Sequence, residues 1–183
     1  MAYISVKEDL PGIRSLVTFR PETGQHLYAL AQVLLRGASP LSAAERELIA
    51  AYVSSRNDCN FCMNSHAAAA RCLYGSEKNT VDEVLEEADG AGISDKMKIL
   101  LRLAGKVQVN GREVKEEDII AARKQGVTDA EIHDAVLIAA TFSMFNRYVD
   151  GLASFTPTDP AVYEAMGIRM AEKGYVLPTV QNQ

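Results

Sequence analysis

Cys59, Cys62 and His66 form a C-x-x-C-x-x-x-H pattern inside the stretch ERELIAAYVSSRNDCNFCMNSH, residues 45–66. On a helix, Cys59 and Cys62 are i,i+3 neighbours and Cys62 and His66 are i,i+4 neighbours, so two sulfurs and an imidazole share one face. The nucleophile in such a set is a thiolate, and an ordinary thiol of pKa ~8.5 is only a few per cent ionised at neutral pH. Two local features could help. A helix N-terminus favours an anion in its first turn, which points to Cys59, and His66 as base or imidazolium partner points to Cys62. Asp58 opposes both, because a carboxylate beside Cys59 disfavours its thiolate. From the residues alone, which thiol ionises first stays open.

Glu47 enters by a folding argument. In one continuous helix it would lie ~18 Å from Cys59, out of reach. If the chain reverses at Asn57-Asp58, an antiparallel helix pair brings Glu47 beside His66. The carboxylate would then orient the imidazole in a carboxylate, imidazole, thiol relay.

The elements that must position these groups read as helices. Leu27, Leu30, Ala31, Leu34 and Leu35 recur at helical spacing from Glu22 to Arg36, and Gly37 ends the run. Ser42 with Glu45 matches a capping box and opens a helix from about Ala43 to Arg56. Asp58 is the expected N-cap of a third helix, which carries the cysteines and ends near Gly75. Asn79 or Thr80 caps a short acidic helix through Glu87, and Ser94-Asp95 opens the next. Residues 107–114 carry an Asn-Gly turn signal and read as a loop between helices, followed by a helix from Lys115 to Gln125. Thr128 with Glu131 repeats the capping box before a long apolar helix to about Leu152, and Asp159-Pro160 starts the last, to Lys173. Residues 1–21, with Pro11-Gly12 and Pro21, read as an irregular arm, and the tail 174–183 has no helical period. Leu41-Ser42-x-Ala44-Glu45 is echoed by Val127-Thr128-x-Ala130-Glu131. An internal helical repeat and a chance likeness of two helix starts both remain open.

Composition narrows the classes. With 183 residues, 48% of them hydrophobic, the chain can build one sizeable core, so residues 1–183 are expected to form a single all-α domain. A net charge of -5 without a basic stripe gives no electrostatic reason for nucleic-acid binding. Apolar runs are far short of a membrane span, and the N-terminus lacks the order of a signal peptide. The chain therefore reads as soluble and cytoplasmic, where its three cysteines are reactive or buried thiols rather than structural disulfides.

The pattern Glu47-x11-Cys59-x2-Cys62-x3-His66 resembles the active-site motif of the alkylhydroperoxidase D-like proteins, within the carboxymuconolactone decarboxylase-like superfamily. LPGI at 10–13, RPETG at 20–24, SxxERELIAAYVS from Ser42 and FNRYVDGL at 145–152 are similar to the subgroup labelled peroxidase-related proteins. The resemblance implies an all-helical bundle, a homo-oligomer (trimer, hexamer or dimer-based), and a thiol peroxidase needing no metal or other cofactor. It also implies roles: Cys62 as the peroxidatic thiolate, Cys59, nearer the surface, as the resolving thiol that forms a Cys59–Cys62 disulfide, and His66 with Glu47 as the proton relay. A dithiol or protein reductant would then restore the pair. Some members place a second histidine directly before the peroxidatic cysteine; Phe61 stands there, which removes a proton carrier.

Blander readings stand beside these. The dithiol could serve redox sensing or disulfide reduction without peroxide turnover, or be structural. A lactone decarboxylase is disfavoured, since those relatives generally lack the cysteine pair. Cys59, Cys62 and His66 are three possible zinc ligands, yet no second C-x-x-C or H-x-x-x-H completes a structural site, and only His26 and His133 remain. A thioredoxin-type fold lacks alternating strands and helices. Cys72 reads as a core thiol, His133 as a surface or interface residue, and Asn146 and Arg147 as structural.

Overall fold

The computed structural model describes residues 2–177, so residues 178–183 of the expected tail lie outside the described part. Its described residues form nine α-helices and no strand: α1 Ile13–Phe19, α2 Pro21–Arg36, α3 Ala43–Arg56, α4 Asn60–Tyr74, α5 Asn79–Glu87, α6 Asp95–Val109, α7 Glu116–Lys124, α8 Asp129–Gly151 and α9 Pro160–Lys173. The all-helical fold expected from the sequence is the one observed.

Local chemistry explains most boundaries. Both capping boxes form: Ser42 with Glu45 at α3, and Thr128 with Glu131 at α8, each side chain satisfying an otherwise unpaired N–H of the first turn. Ser94 accepts from Met97 N–H to start α6, and Asp159 accepts from Ala161 N–H with Pro160 in the first turn of α9. The expected loop at 107–114 is shorter than supposed. α6 runs through Val109, and Asn110 accepts from Arg112 N–H to set a single 3-10 turn at Gly111–Glu113.

The N-terminal arm departs from expectation, since α1 interrupts it. A seven-residue helix has little stability of its own; burial of Leu16 and Val17 holds it in place. Backbone bonds from Tyr3 N–H to Leu152 O and from Gly12 N–H to Phe155 O tie the rest of the arm to the α8–α9 connection. Gly12 has φ 55, and a Cβ there would overlap the Phe61 ring, so only glycine fits.

α3 is the central helix, buried without interruption from Arg46 to Ala51, and it packs mainly on α4, with α6 and α8 behind it. Leu48, Ile49, Leu101, Ile138 and Phe142 lie in this main core. A smaller cluster joins α4 to α1, α8 and α9 through Leu16, Cys62, Val149, Met166 and Met170. α9 approaches α4 closely because Gly167 has no side chain: a Cβ there would lie 2.6 Å from the carbonyl carbon of Ala68. α2 is fastened at its C-terminus by Arg46, whose Nη1 donates to Leu34 O and Gly37 O. The echo between α3 and α8 is limited to their starts. α8 runs for 23 residues where α3 stops after 14, so the chain continues straight in one and reverses in the other.

Candidate active site

The reversal after α3 is made by Asn57 and Asp58. Asp58 takes the left-handed conformation at φ 56, which short polar side chains tolerate, and Cys59 N–H returns to Ser54 O. Asp58 is consequently a turn residue and not the N-cap it was expected to be. Cys59 occupies the cap position with no side-chain cap bond, and α4 begins at Asn60. Cys62 therefore sits in the first turn of α4, where the helix N-terminus favours a negative charge.

The antiparallel arrangement of α3 and α4 brings Glu47 and His66 together as the spacing suggested. His66 Nδ1 lies 2.6 Å from Glu47 Oε2. Glu47 is fully buried and accepts two further bonds on Oε1, from Arg36 Nη2 at 2.6 Å and from the Tyr175 hydroxyl at 2.6 Å. Burial alone would raise its carboxyl, but His66, Arg36 and Tyr175 outweigh that cost and hold it below the ordinary carboxylate range. With Nδ1 committed to an ionised carboxylate, a neutral His66 carries its proton there and leaves Nε2 as the acceptor.

Arg36 and Tyr175 were not singled out in the sequence. Arg36 is the last residue of α2 and also donates to Met170 O, linking α2, α3 and α9. Tyr175 follows α9 in the segment read as a tail without period; its ring stacks on His66 with centroids 6.0 Å apart and lies under the Arg36 guanidinium. Burial and then the adjacent Glu47 carboxylate push the Tyr175 hydroxyl well above its ordinary value, so it remains a proton donor. The Phe142 edge meets the other side of the imidazole at 4.5 Å. No local signal marks these residues, since each acts through partners distant in sequence.

Cys59 and Cys62 are free thiols, and both are buried, at 0% and 3% exposure. The expectation that Cys59 lies nearer the surface is overturned: the turn at Asp58 tucks it under α1 and α9, and Cys62 faces the cavity. A hydrogen bond with Cys59 and then burial raise the Cys62 thiol well above its ordinary value, while a hydrogen bond from Asn146 works the other way. Asn146 is itself buried and set by a polar chain from α6 to α8. Gln108 Nε2 donates to Asn57 Oδ1, Asn57 Nδ2 to Asn146 Oδ1, and Asn146 Nδ2 to Ser54 Oγ, all at 2.9–3.0 Å. Asn146 thus does more than the structural part first given to it, whereas Arg147 is exposed and bonds Ser143 O one turn back. His66 spends its hydrogen bonds on Glu47 and Tyr175 rather than on the Cys62 sulfur.

Cys72 corrects the reading as a core thiol. It is exposed, lying one turn beyond Ala68 on the same face of α4, past the point where Gly167 of α9 covers that face. His133 is a surface residue 3.0 Å from Asp134, and His26 is exposed beside Gln25. Among the described residues, no three side chains of His, Cys, Asp and Glu converge as metal binding requires. No described helix is long and apolar enough to cross a membrane.

Cys62 and His66 open onto one cavity of about 50 Å³, lined also by Phe61, Phe142, Phe145 and Tyr175. A single water needs roughly 10–15 Å³ on this scale, so the space admits a few water-sized groups. An all-helical protein with a dithiol at a helix N-terminus and a buried carboxylate–imidazole pair beside it is the class defined by this fold and site. Residues 21–106 match the Carboxymuconolactone decarboxylase family. Its helices superpose on those of an uncharacterized peroxidase-related protein from Silicibacter sp. TM1040, with TM-score 0.76, 28% identity, and coverage of 86% of this chain and 80% of that one. A second structure, named as an alkylhydroperoxidase AhpD core and peroxidase-related protein from Ralstonia eutropha JMP134, gives TM-score 0.77, 26% identity, and coverage of 86% and 81%. Among curated proteins none matches the chain.

Proposed function

We propose that the protein is a thiol-dependent peroxidase that reduces organic hydroperoxides through Cys62 and Cys59, in antioxidant defence. The observation that carries this reading is that Cys62 and His66 line one small cavity while buried Glu47 holds His66 at Nδ1, leaving Nε2 as a base. The names of the two similar structures support it. Transfer of one proton from the dithiol to His66 Nε2 forms the imidazolium and leaves a single negative charge on the pair, and proton transfer across the Cys62–Cys59 contact places that charge on Cys62. The Cys62 thiolate attacks the terminal oxygen of the hydroperoxide, the O–O bond breaks, and Cys62 becomes a sulfenic acid. The departing alkoxide takes a proton from the His66 imidazolium and leaves as the alcohol. The Cys59 thiol then attacks the sulfenic sulfur; water leaves and a Cys59–Cys62 disulfide forms. An external dithiol reduces it by exchange, becoming a disulfide itself.

The reading includes the cytoplasm, whose reducing poise keeps such a pair available, and a homo-oligomer, in which exposed Leu137 and Met144 on α8 would be covered. A second reading is favoured by one observation, the raised Cys62 thiol. A thiol whose ionisation is disfavoured is a weaker nucleophile towards peroxide, which leaves a dithiol that changes redox state, by slow disulfide exchange or as a sensor, without peroxide turnover. Consumption of cumene hydroperoxide with dithiothreitol or dihydrolipoamide separates the two. Turnover that is lost in Cys62→Ser and His66→Gln, with a sulfenic acid trapped in Cys59→Ser, is the expected result. No turnover by the wild type, with a pair that still oxidises and reduces reversibly, would move the assignment to the second reading.

A further inference from the structure

Two arginines line the same cavity as Cys62 and His66. Arg14 comes from α1 and Arg169 from α9, and both charges act on Tyr28 of α2, which lines the same cavity. Neither arginine belongs to an ion pair among the described residues. Arg14 Nε is buried with no hydrogen-bond partner there, although Asp9 lies near enough to offset a little of its charge. Burial and then the like charge of Arg169 lower the Arg14 guanidinium, outweighing Tyr28 and Asp9, which raise it. A guanidinium N–H closed off from water without a partner is costly, and arginine's planar fork matches a carboxylate that would offset the two positive charges. The rest of the lining, including Ile13, Leu27, Phe145 and Met166, is apolar.

We propose that the cavity takes the peroxide end of a hydroperoxide that also bears a carboxylate, with the body lying along the apolar wall towards the open side and the half-exposed Arg14 and Arg169 holding the carboxylate. The inference rests on the peroxidase reading for the peroxide end of the molecule, but the carboxylate subsite can be tested without turnover. Calorimetric titration with 4-isopropylbenzoate and its neutral isostere 4-isopropylbenzamide reads the subsite directly. The acid is expected to bind about tenfold or more tighter than the amide, the scale of charge-assisted bonds from arginine. That ratio should fall towards one in Arg14→Gln/Arg169→Gln and partly in Arg169→Gln alone, which keeps the half-buried Arg14 in place should its replacement disturb folding. The kinetic arm compares kcat/KM for 4-(2-hydroperoxypropan-2-yl)benzoate with that for cumene hydroperoxide, using uncharged dithiothreitol, and the same acid-over-neutral ratio is expected.

Equal binding of acid and amide by the wild type, or a preference that survives both substitutions, overturns the subsite whatever the turnover. A carboxylate preference in calorimetry with neither hydroperoxide consumed would sink the peroxidase reading and leave the subsite standing. A preference for dihydrolipoate over dihydrolipoamide as reductant, with none between the two hydroperoxides, overturns the assignment to the peroxide substrate and gives the arginines to the reductant.

Discussion

Glu47→Gln isolates what the buried carboxylate contributes. The side chain keeps its shape but loses its charge, and three hydrogen bonds of 2.6 Å change character. Oε1 accepts from both Arg36 and Tyr175, so the glutamine carbonyl oxygen remains there and its amide turns to His66 Nδ1. An amide donates, so Nδ1 must accept, and the imidazole proton moves to Nε2. The nitrogen that served as base then carries a proton. General acid–base catalysis is worth about 10²–10⁴, so kcat/KM for hydroperoxide should fall by about that factor. Stability falls too: the bonds to His66 and Tyr175 become neutral and Arg36 loses its counter-charge, at a loss of about 1 kcal/mol each, or about 3 kcal/mol near pH 7. The Glu47 carboxyl is lowered in the folded state, so its stabilisation is present above the ordinary value of 4.5 and is lost as pH falls through the folded value. The gap between wild type and variant should therefore close in acid. Urea denaturation at several pH values reads stability, steady-state kinetics reads the rate, and nitrogen NMR of the imidazole reads the tautomer. A variant that turns over within threefold of wild type, or whose His66 still carries its proton at Nδ1, refutes the reasoning.

Two further outcomes follow from the geometry. Cys59→Ala removes the first cause that raises the Cys62 thiol, so the pH midpoint for alkylation of Cys62 by iodoacetamide should move downward; an unmoved midpoint would assign the shift to burial alone. Gly12→Ala puts a Cβ into the Phe61 ring at a left-handed backbone position and should cost about 2–5 kcal/mol. A thermal or urea shift worth less than about 1 kcal/mol would show that α1 gives way instead.

The Cys59–Cys62–His66 spacing was readable because all three lie within two turns of one helix, where sequence distance fixes spatial distance. Glu47 was readable for a related reason: one reversal at Asn57-Asp58 joins two helices of known rise. Tyr175 was not, because its hydroxyl reaches Glu47 across 128 residues and through the packing of α9 on α4. Asn146 was seen as polar in an apolar helix, but its bond to Cys62 depends on how α8 crosses the turn between α3 and α4. Phe61, noted for lacking an imidazole, proves to be the ring that fills the space above Gly12, and Tyr175 supplies a hydroxyl beside the relay.

Sequence alone determined the helices from α2 to α9, the caps at Ser42, Ser94, Thr128 and Asp159, and the chemical set on α3 and α4, since these depend on neighbours within a few residues. Tertiary structure decided the rest. It placed Cys59 deeper than Cys62, left Cys72 on the surface, closed the relay with Arg36 and Tyr175, and brought Arg14 and Arg169 to one cavity. Burial and like-charge proximity are properties of packed helices, and no local pattern encodes which faces will meet.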